Sequence, residues 1–131
     1  MLNMENCIFC KIIKKEIPAN IVYEDENFLA FLDIKPMGPG HTQIITKKHY
    51  RWVWDVPSAA EAKAGEPNVG EFFEVAKKIA LAQKKAFNAD IVRSQIYGEE
   101  IEHAHIWVWP EIVGNEKDLA ENAKKIKNAL V

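Results

Sequence analysis

The segment His103-Ala104-His105-Ile106-Trp107-Val108-Trp109-Pro110 holds two of the chain's four histidines, two positions apart among apolar residues. Along an extended strand, successive side chains point to opposite faces. Ala104, Ile106 and Val108 can then enter a core while His103, His105, Trp107 and Trp109 share the other face. The two imidazoles stand about 6.6 Å apart on such a strand. With an ordinary pKa near ~6.5, an imidazole is largely neutral and nucleophilic at physiological pH and can leave again, so it can carry a group between two acceptors. The residues alone leave two readings open: a reactive His105, or a histidine on an ordinary polar sheet face.

The other group of chemical interest is Cys7-x-x-Cys10. The N-terminal residues lack the basic start, apolar stretch and small-residue cleavage site of a secretory signal, and no run reaches membrane-spanning length. The expectation is a cytoplasmic protein with no membrane partner, in which two cysteines are thiols or metal ligands rather than a structural disulfide. By itself the pair fits free thiols, a redox pair or part of a metal site.

These groups need a scaffold. Apolar runs at Ile21–Tyr23 and Phe28–Ile34 predict two strands joined as a hairpin through Glu24-Asp25-Glu26-Asn27. Lys35-Pro36-Met37-Gly38-Pro39-Gly40 forbids regular structure and predicts a fixed loop, flanked by Asp33 and His41, before a strand at Thr42–Lys47. Asp90–Tyr97 and His105–Trp109 read as two further strands separated by a tight Gly98-Glu99-Glu100 connection, with Pro110 ending the second. Between Gly70 and Phe87, the residues Phe72, Val75, Ala76, Ile79, Ala82, Ala86 and Phe87 recur at three- and four-residue intervals, which predicts a helix with one buried stripe. A last helix, with Asn115 as its cap, would bury Leu119, Ala123, Ile126 and Leu130. Residues 57–68, rich in Ala, Glu, Gly and Pro, predict a surface loop with a short helix.

A chain of 131 residues falls within the size of one domain, so a single domain over 1–131 is expected. Its 48% hydrophobic and 27% charged residues exclude a disordered or fibrous chain. Binding to nucleic acid draws on a dense field of Lys and Arg, and a net charge of −2 supplies no such surplus. A small nucleotide remains open as a partner.

The histidine segment resembles the signature of the histidine-triad (HIT) family, in which three histidines alternate with hydrophobic residues and a proline often follows. Cys7-Ile-Phe-Cys-Lys-Ile-Ile, Glu16-Ile-Pro-Ala, Val22-Tyr-Glu-Asp, Phe28-Leu-Ala-Phe-Leu-Asp-Ile, Pro39-Gly-His and Lys47-Lys-His-Tyr look like family segments in family order, so the resemblance covers nearly the whole chain apart from 57–68. It implies an α+β HIT-like fold: a five-stranded, mainly antiparallel sheet with one long central helix and a C-terminal helix. It also implies a homodimer that takes a purine nucleotide or nucleotide conjugate. By the same resemblance His105 is the catalytic residue, attacking a nucleoside α-phosphorus to give a nucleotidyl-histidine. Asp33 would hold the ribose hydroxyls, Phe31 and Ile34 would pack around the base, and His41 would be a further pocket histidine. His103, Glu99 and Trp107 would border the nucleotide. Cys7, Cys10, His49 and His103 would hold a structural zinc, with no organic cofactor.

Two positions depart from the family pattern. Trp107 stands where the third histidine is expected, and an indole N–H is a donor only and cannot shuttle a proton. Hydrolysis is therefore expected to be impaired or altered, although the family's transferase branch carries glutamine there. Trp107 either stacks on a base or covers a dry patch. Glu99 stands where many members have glutamine, setting a carboxylate beside the phosphate unless the connection turns it away. The leading expectation is a nucleotide hydrolase or nucleotidyl transferase; the alternative is a catalytically weakened nucleotide-binding or sensing protein.

Overall fold

The computed structural model describes residues 6–130. Five strands, β1 (Ile21–Glu24), β2 (Phe28–Leu32), β3 (Thr42–Thr46), β4 (Val92–Tyr97) and β5 (His105–Pro110), form one sheet in the order β1-β2-β3-β5-β4. All neighbouring pairs are antiparallel. With helices α1 (Ile8–Ile13), α2 (Val69–Phe87) and α3 (Leu119–Ala129), this is the expected α+β architecture. Among the described residues, no helix is long and apolar enough to cross a membrane.

The central strands are covered on both faces. Phe28, Ala30 and Leu32 of β2, Ile44 of β3, and Ala104, Ile106 and Val108 turn toward α2 and α3 and form the main core. Leu29, Phe31 and Ile45 face the other way, where Phe9, Cys10 and Ile12 of α1 close over them. Every residue of β2 and β3 is consequently buried, and β2 reads as a continuous rather than alternating apolar run. The period-two expectation for Ala104, Ile106 and Val108 holds.

Helix α2 starts at Asn68, whose side chain accepts the Glu71 N–H at 2.9 Å, and stops at Asn88 in the left-handed conformation. Its stripe of Phe72, Val75, Ala76, Ile79 and Ala82 is buried as the spacing predicts, while Ala86 and Phe87 are half-buried. Gln83 also lies in that stripe and is fully buried. Its Nε2 donates to the carbonyls of Gly40 and Val108, each at 2.9 Å, and reaches Thr42 Oγ1 at 3.3 Å. One amide therefore ties α2 to the loop before β3 and to β5. Gly40, at φ +78°, carries that loop beneath Phe87, where a Cβ would lie 2.5 Å from the ring.

Three expectations need correction. The connection between β4 and β5 spans residues 98–104 rather than a tight Gly98-Glu99-Glu100 turn, because Tyr97 pairs with His105 and the chain between them detours, with Ala104 N–H donating to the Tyr50 carbonyl at 2.6 Å. His103 thus precedes β5 instead of lying on it. The cap of α3 is Asp118, whose carboxylate accepts the Glu121 N–H, while the Asn115 carbonyl receives the side-chain amide of Asn122. Residues 57–68 form a loop of turns without the expected helix, since Pro57, Pro67 and Gly65, the last at φ +84°, interrupt helical backbone.

Replacing Gln83 with leucine removes the side-chain donor to the Val108 carbonyl and leaves the Gly40 carbonyl with the Thr42 hydroxyl alone, at an expected cost of about 1–3 kcal/mol. Urea denaturation should show a correspondingly lower midpoint at an unchanged slope, whereas an unmoved midpoint would remove Gln83 as the tie between helix and sheet.

Candidate functional site

On the α1 side of the sheet lies a cavity of about 650 Å³ with three differently built walls. Ile8, Phe9 and Ile12 of α1, together with Ile17 and Phe31, make an apolar slot. Asp33, Gln43 and His105 make a polar floor, and Tyr97, Trp107, Glu99 and Glu100 stand on the β4 side. Helix α1 is held in place by its own sequence: Cys7 is its N-cap, with Sγ accepting the Cys10 N–H at 3.4 Å. Phe9 meets Phe31, His103 and His105 edge-on at 5.3, 5.8 and 5.4 Å. His103 and His105 therefore do share a sheet face, as their spacing predicts, although only His105 lies within β5.

His105 is 4% exposed, and its Nδ1 lies 2.5 Å from the His103 carbonyl oxygen. A carbonyl can only accept, so Nδ1 carries the proton and Nε2 keeps its lone pair. Burial pushes the pKa of His105 below the ordinary imidazole value, opposed by the His103 carbonyl and by the Asp33 and Glu99 carboxylates. The result is a neutral imidazole of one tautomer bordering a cavity, suited to act as a nucleophile or base.

Asp33 is fixed by two hydrogen bonds. Its Oδ1 accepts the Lys35 N–H at 2.8 Å, and its Oδ2 accepts the Gln43 amide at 2.9 Å. Gln43, unmarked by the sequence reading, is 6% exposed and sits directly across β3 from Trp107. An amide beside Ile44 and Ile45, in a short strand predicted between two others, is the signal that could have revealed it. His41 lies close to this group, with Nδ1 3.9 Å from Asp33 Oδ2, but that nitrogen accepts the Met37 N–H at 3.0 Å. It is fully buried behind Trp107 and is absent from the cavity wall. Trp107 packs edge-on against Tyr97 at 4.8 Å and His41 at 4.9 Å, and its indole nitrogen has no hydrogen-bond partner among the described residues. Phe31 is buried at the slot, while Ile34 is 77% exposed at its mouth. Lys47, Lys48 and Arg51 are each engaged elsewhere, with Glu24, Glu66 and Glu102.

Behind the cavity, the sulfurs of Cys7 and Cys10 and one ring nitrogen each of His49 and His103 lie within 4.8 Å of one another. Cys10 Sγ is 3.0 Å from His49 Nδ1, and Cys7 Sγ is 3.3 Å from His103 Nδ1. The far nitrogen of His103 donates to the Thr46 carbonyl at 2.7 Å, turning Nδ1 toward the sulfurs. Burial pushes His103 down to about 4, so its ring is neutral, and burial with the Cys7 sulfur pushes the Cys10 thiol up to about 12. Two sulfurs and two imidazoles converging in this way fit a tetrahedral zinc ion, whose charge would offset that of buried thiolates.

The sequence pattern of the HIT domain matches residues 14–112. The chain belongs to the HIT family. An uncharacterized HIT-like protein of Methanocaldococcus jannaschii is 36% identical, with 92% of this chain and 98% of that protein aligned. The adenosine 5′-monophosphoramidase HNT1 of Saccharomyces cerevisiae is 36% identical over 80% of this chain and 62% of its own length. A zinc-bound histidine triad family protein of Mycobacterium smegmatis has a similar solved structure, with a TM-score of 0.76 and 28% identity over 98% of this chain and 95% of that one. In this HIT protein the expected ring nitrogen with its proton is Nδ1 of His105. Long-range ¹H–¹⁵N NMR correlations should show the Nδ1–H tautomer at neutral pH; an Nε2–H pattern would contradict the geometry.

Proposed function

We propose that this HIT protein is a nucleotide hydrolase or nucleotidyl transferase acting at a nucleoside α-phosphate, as in a phosphoramidate, dinucleoside polyphosphate or adenylylated compound. The observation that carries this reading is the single-tautomer His105 on the floor of a cavity that also holds a fixed carboxylate and an apolar slot. A purine lies in the slot between α1 and Phe31, with Ile34 at its mouth, and the ribose hydroxyls donate to Asp33. His105 Nε2 then bonds to phosphorus as the leaving group departs, and water or another acceptor breaks the phosphorus–nitrogen bond in a second step. The resemblance to a monophosphoramidase supports the reaction class.

A second reading, a nucleotide-binding or sensing protein with weakened turnover, is favoured by Trp107, which offers only a donor, and by Glu99 on the cavity wall. Acid-quench mass spectrometry with an adenosine or guanosine phosphoramidate separates the two. Wild type should gain the mass of one nucleotidyl group and His105→Ala none; saturable binding with neither adduct nor released nucleotide would favour the second reading.

Cys7, Cys10, His49 and His103 would hold a structural zinc, and the protein is proposed to be a single cytoplasmic domain. A homodimer is the proposed assembly, and β4, an edge strand with Arg93, Ser94 and Gln95 exposed, is available for a partner. Zinc, when bound, supplies a charged crosslink between α1 and the approach to β5. Elemental analysis should find about one zinc per chain, lost in the Cys7→Ser/Cys10→Ser variant together with ~2 kcal/mol or more of stability, or about 8 °C in Tm. A metal-free wild type of unchanged Tm would dismiss the site.

A further inference from the structure

The charge around His105 is opposite to what a polyanionic ligand requires. Among the described residues, three carboxylates, Asp33, Glu99 and Glu100, border the cavity against one ammonium, Lys35. The other basic residues near His49 are paired away with Glu24, Glu66 and Glu102. The polar surface is therefore rich in acceptors and negative charge and poor in donors.

The sheet order divides these groups between two ends. Counting across β2-β3-β5-β4, His105 lies on β5, with Asp33 and Gln43 on the β2–β3 side. On the other side β4 ends at Tyr97, which pairs with His105, and Glu99 and Glu100 follow directly. Gly98 holds the start of that segment against Trp52, where a Cβ would lie 2.2 Å from the indole. Tyr97 and Trp107, which meet edge-on at 4.8 Å, line the same wall. Carboxylates and aromatic rings on one wall attract a cation twice over, by Coulomb attraction and through the ring quadrupoles.

We propose that the β4 side of the cavity is a leaving-group subsite for cations, so that the preferred substrates are nucleoside phosphoramidates of amines carrying a further positive charge and polyphosphate conjugates are disfavoured. The assignment rests on the function proposed above for its chemistry, and narrows it. The nucleoside occupies the α1–Asp33 end, which leaves Glu99, Glu100, Tyr97 and Trp107 to meet the departing amine. As His105 Nε2 bonds to phosphorus, the phosphorus–nitrogen bond to the amine breaks and the amine takes a proton from water. A second water then displaces His105, its proton neutralising the hydroxide left by the first, and the nucleoside monophosphate is released. One water is consumed overall.

The test uses three adenosine 5′-phosphoramidates of equal tail length, made from 1,4-diaminobutane, pentylamine and 4-aminobutyrate, so that the tails end in an ammonium, a methyl and a carboxylate. The expected kcat/KM order is cationic, neutral, anionic, with about tenfold or more between the extremes and less at high salt. In the Glu99→Gln/Glu100→Gln variant the spread should fall to about threefold or less. A preference for the anionic tail, no preference in wild type, or a spread that survives in that variant would overturn the assignment. Binding of the same compounds to His105→Ala keeps the test independent of turnover: the order of Kd should again favour the cation. If wild type releases no nucleotide while that binding order holds, the hydrolase reading fails and the subsite stands. If nucleotide is released with no charge preference, the subsite fails and the hydrolase reading stands.

Discussion

His103 is the residue through which two otherwise separate parts of the molecule are joined. Its ring faces the sulfurs of Cys7 and Cys10, and its carbonyl takes the Nδ1 proton of His105. The tautomer of His105 is therefore set by the backbone of a residue whose own orientation is set by a cysteine cluster and by the Thr46 carbonyl. Hydrogen bonds of this kind act through geometry more than through strength, because a neutral pair contributes only about 1 kcal/mol net to stability. What it decides here is which nitrogen faces the cavity.

Helix α1 is part of the same device. Six residues are too few for a helix to persist alone, so α1 depends on its cap and on burial. Cys7 serves as that cap and faces His103, and Phe9 spans both histidine rings and Phe31. The helix that walls the apolar slot is thus anchored by the groups it encloses. Opposite it, the long α2 braces the sheet from behind, so the cavity floor is fixed from two directions.

The elements legible in the sequence are those with a strong period. The β5 alternation and the α2 stripe follow from side-chain direction alone, and both are found where the spacing puts them. The Cys/His grouping was legible only through family resemblance, because residues 7, 10, 49 and 103 share no local pattern. Tertiary packing decided what was missed. Gln43 and Gln83 look like surface residues by type, yet each is buried because several acceptors or a carboxylate await its amide. The length of the 98–104 connection depends on which residue of β4 finds His105, a register that no turn residue announces. His41 matched a pocket histidine by neighbouring sequence, but the Met37 N–H and the indoles of Trp107 and Trp109 draw it inward.

The amide of Gln83 has one more consequence. It grips the Gly40 carbonyl from beneath, in the Pro/Gly segment that runs from Asp33 to β3. Asp33 and His41 close that segment with a backbone bond of their own, the Asp33 N–H donating to the His41 carbonyl at 2.9 Å. A stretch with no repeating backbone geometry is thereby clamped at its neck and supported from below, as a gemstone is held by a setting. Precision at Asp33 is then inherited partly from a helix on the far side of the sheet, whose buried amide holds the loop at Gly40, and partly from Gln43 of β3, which holds the carboxylate itself.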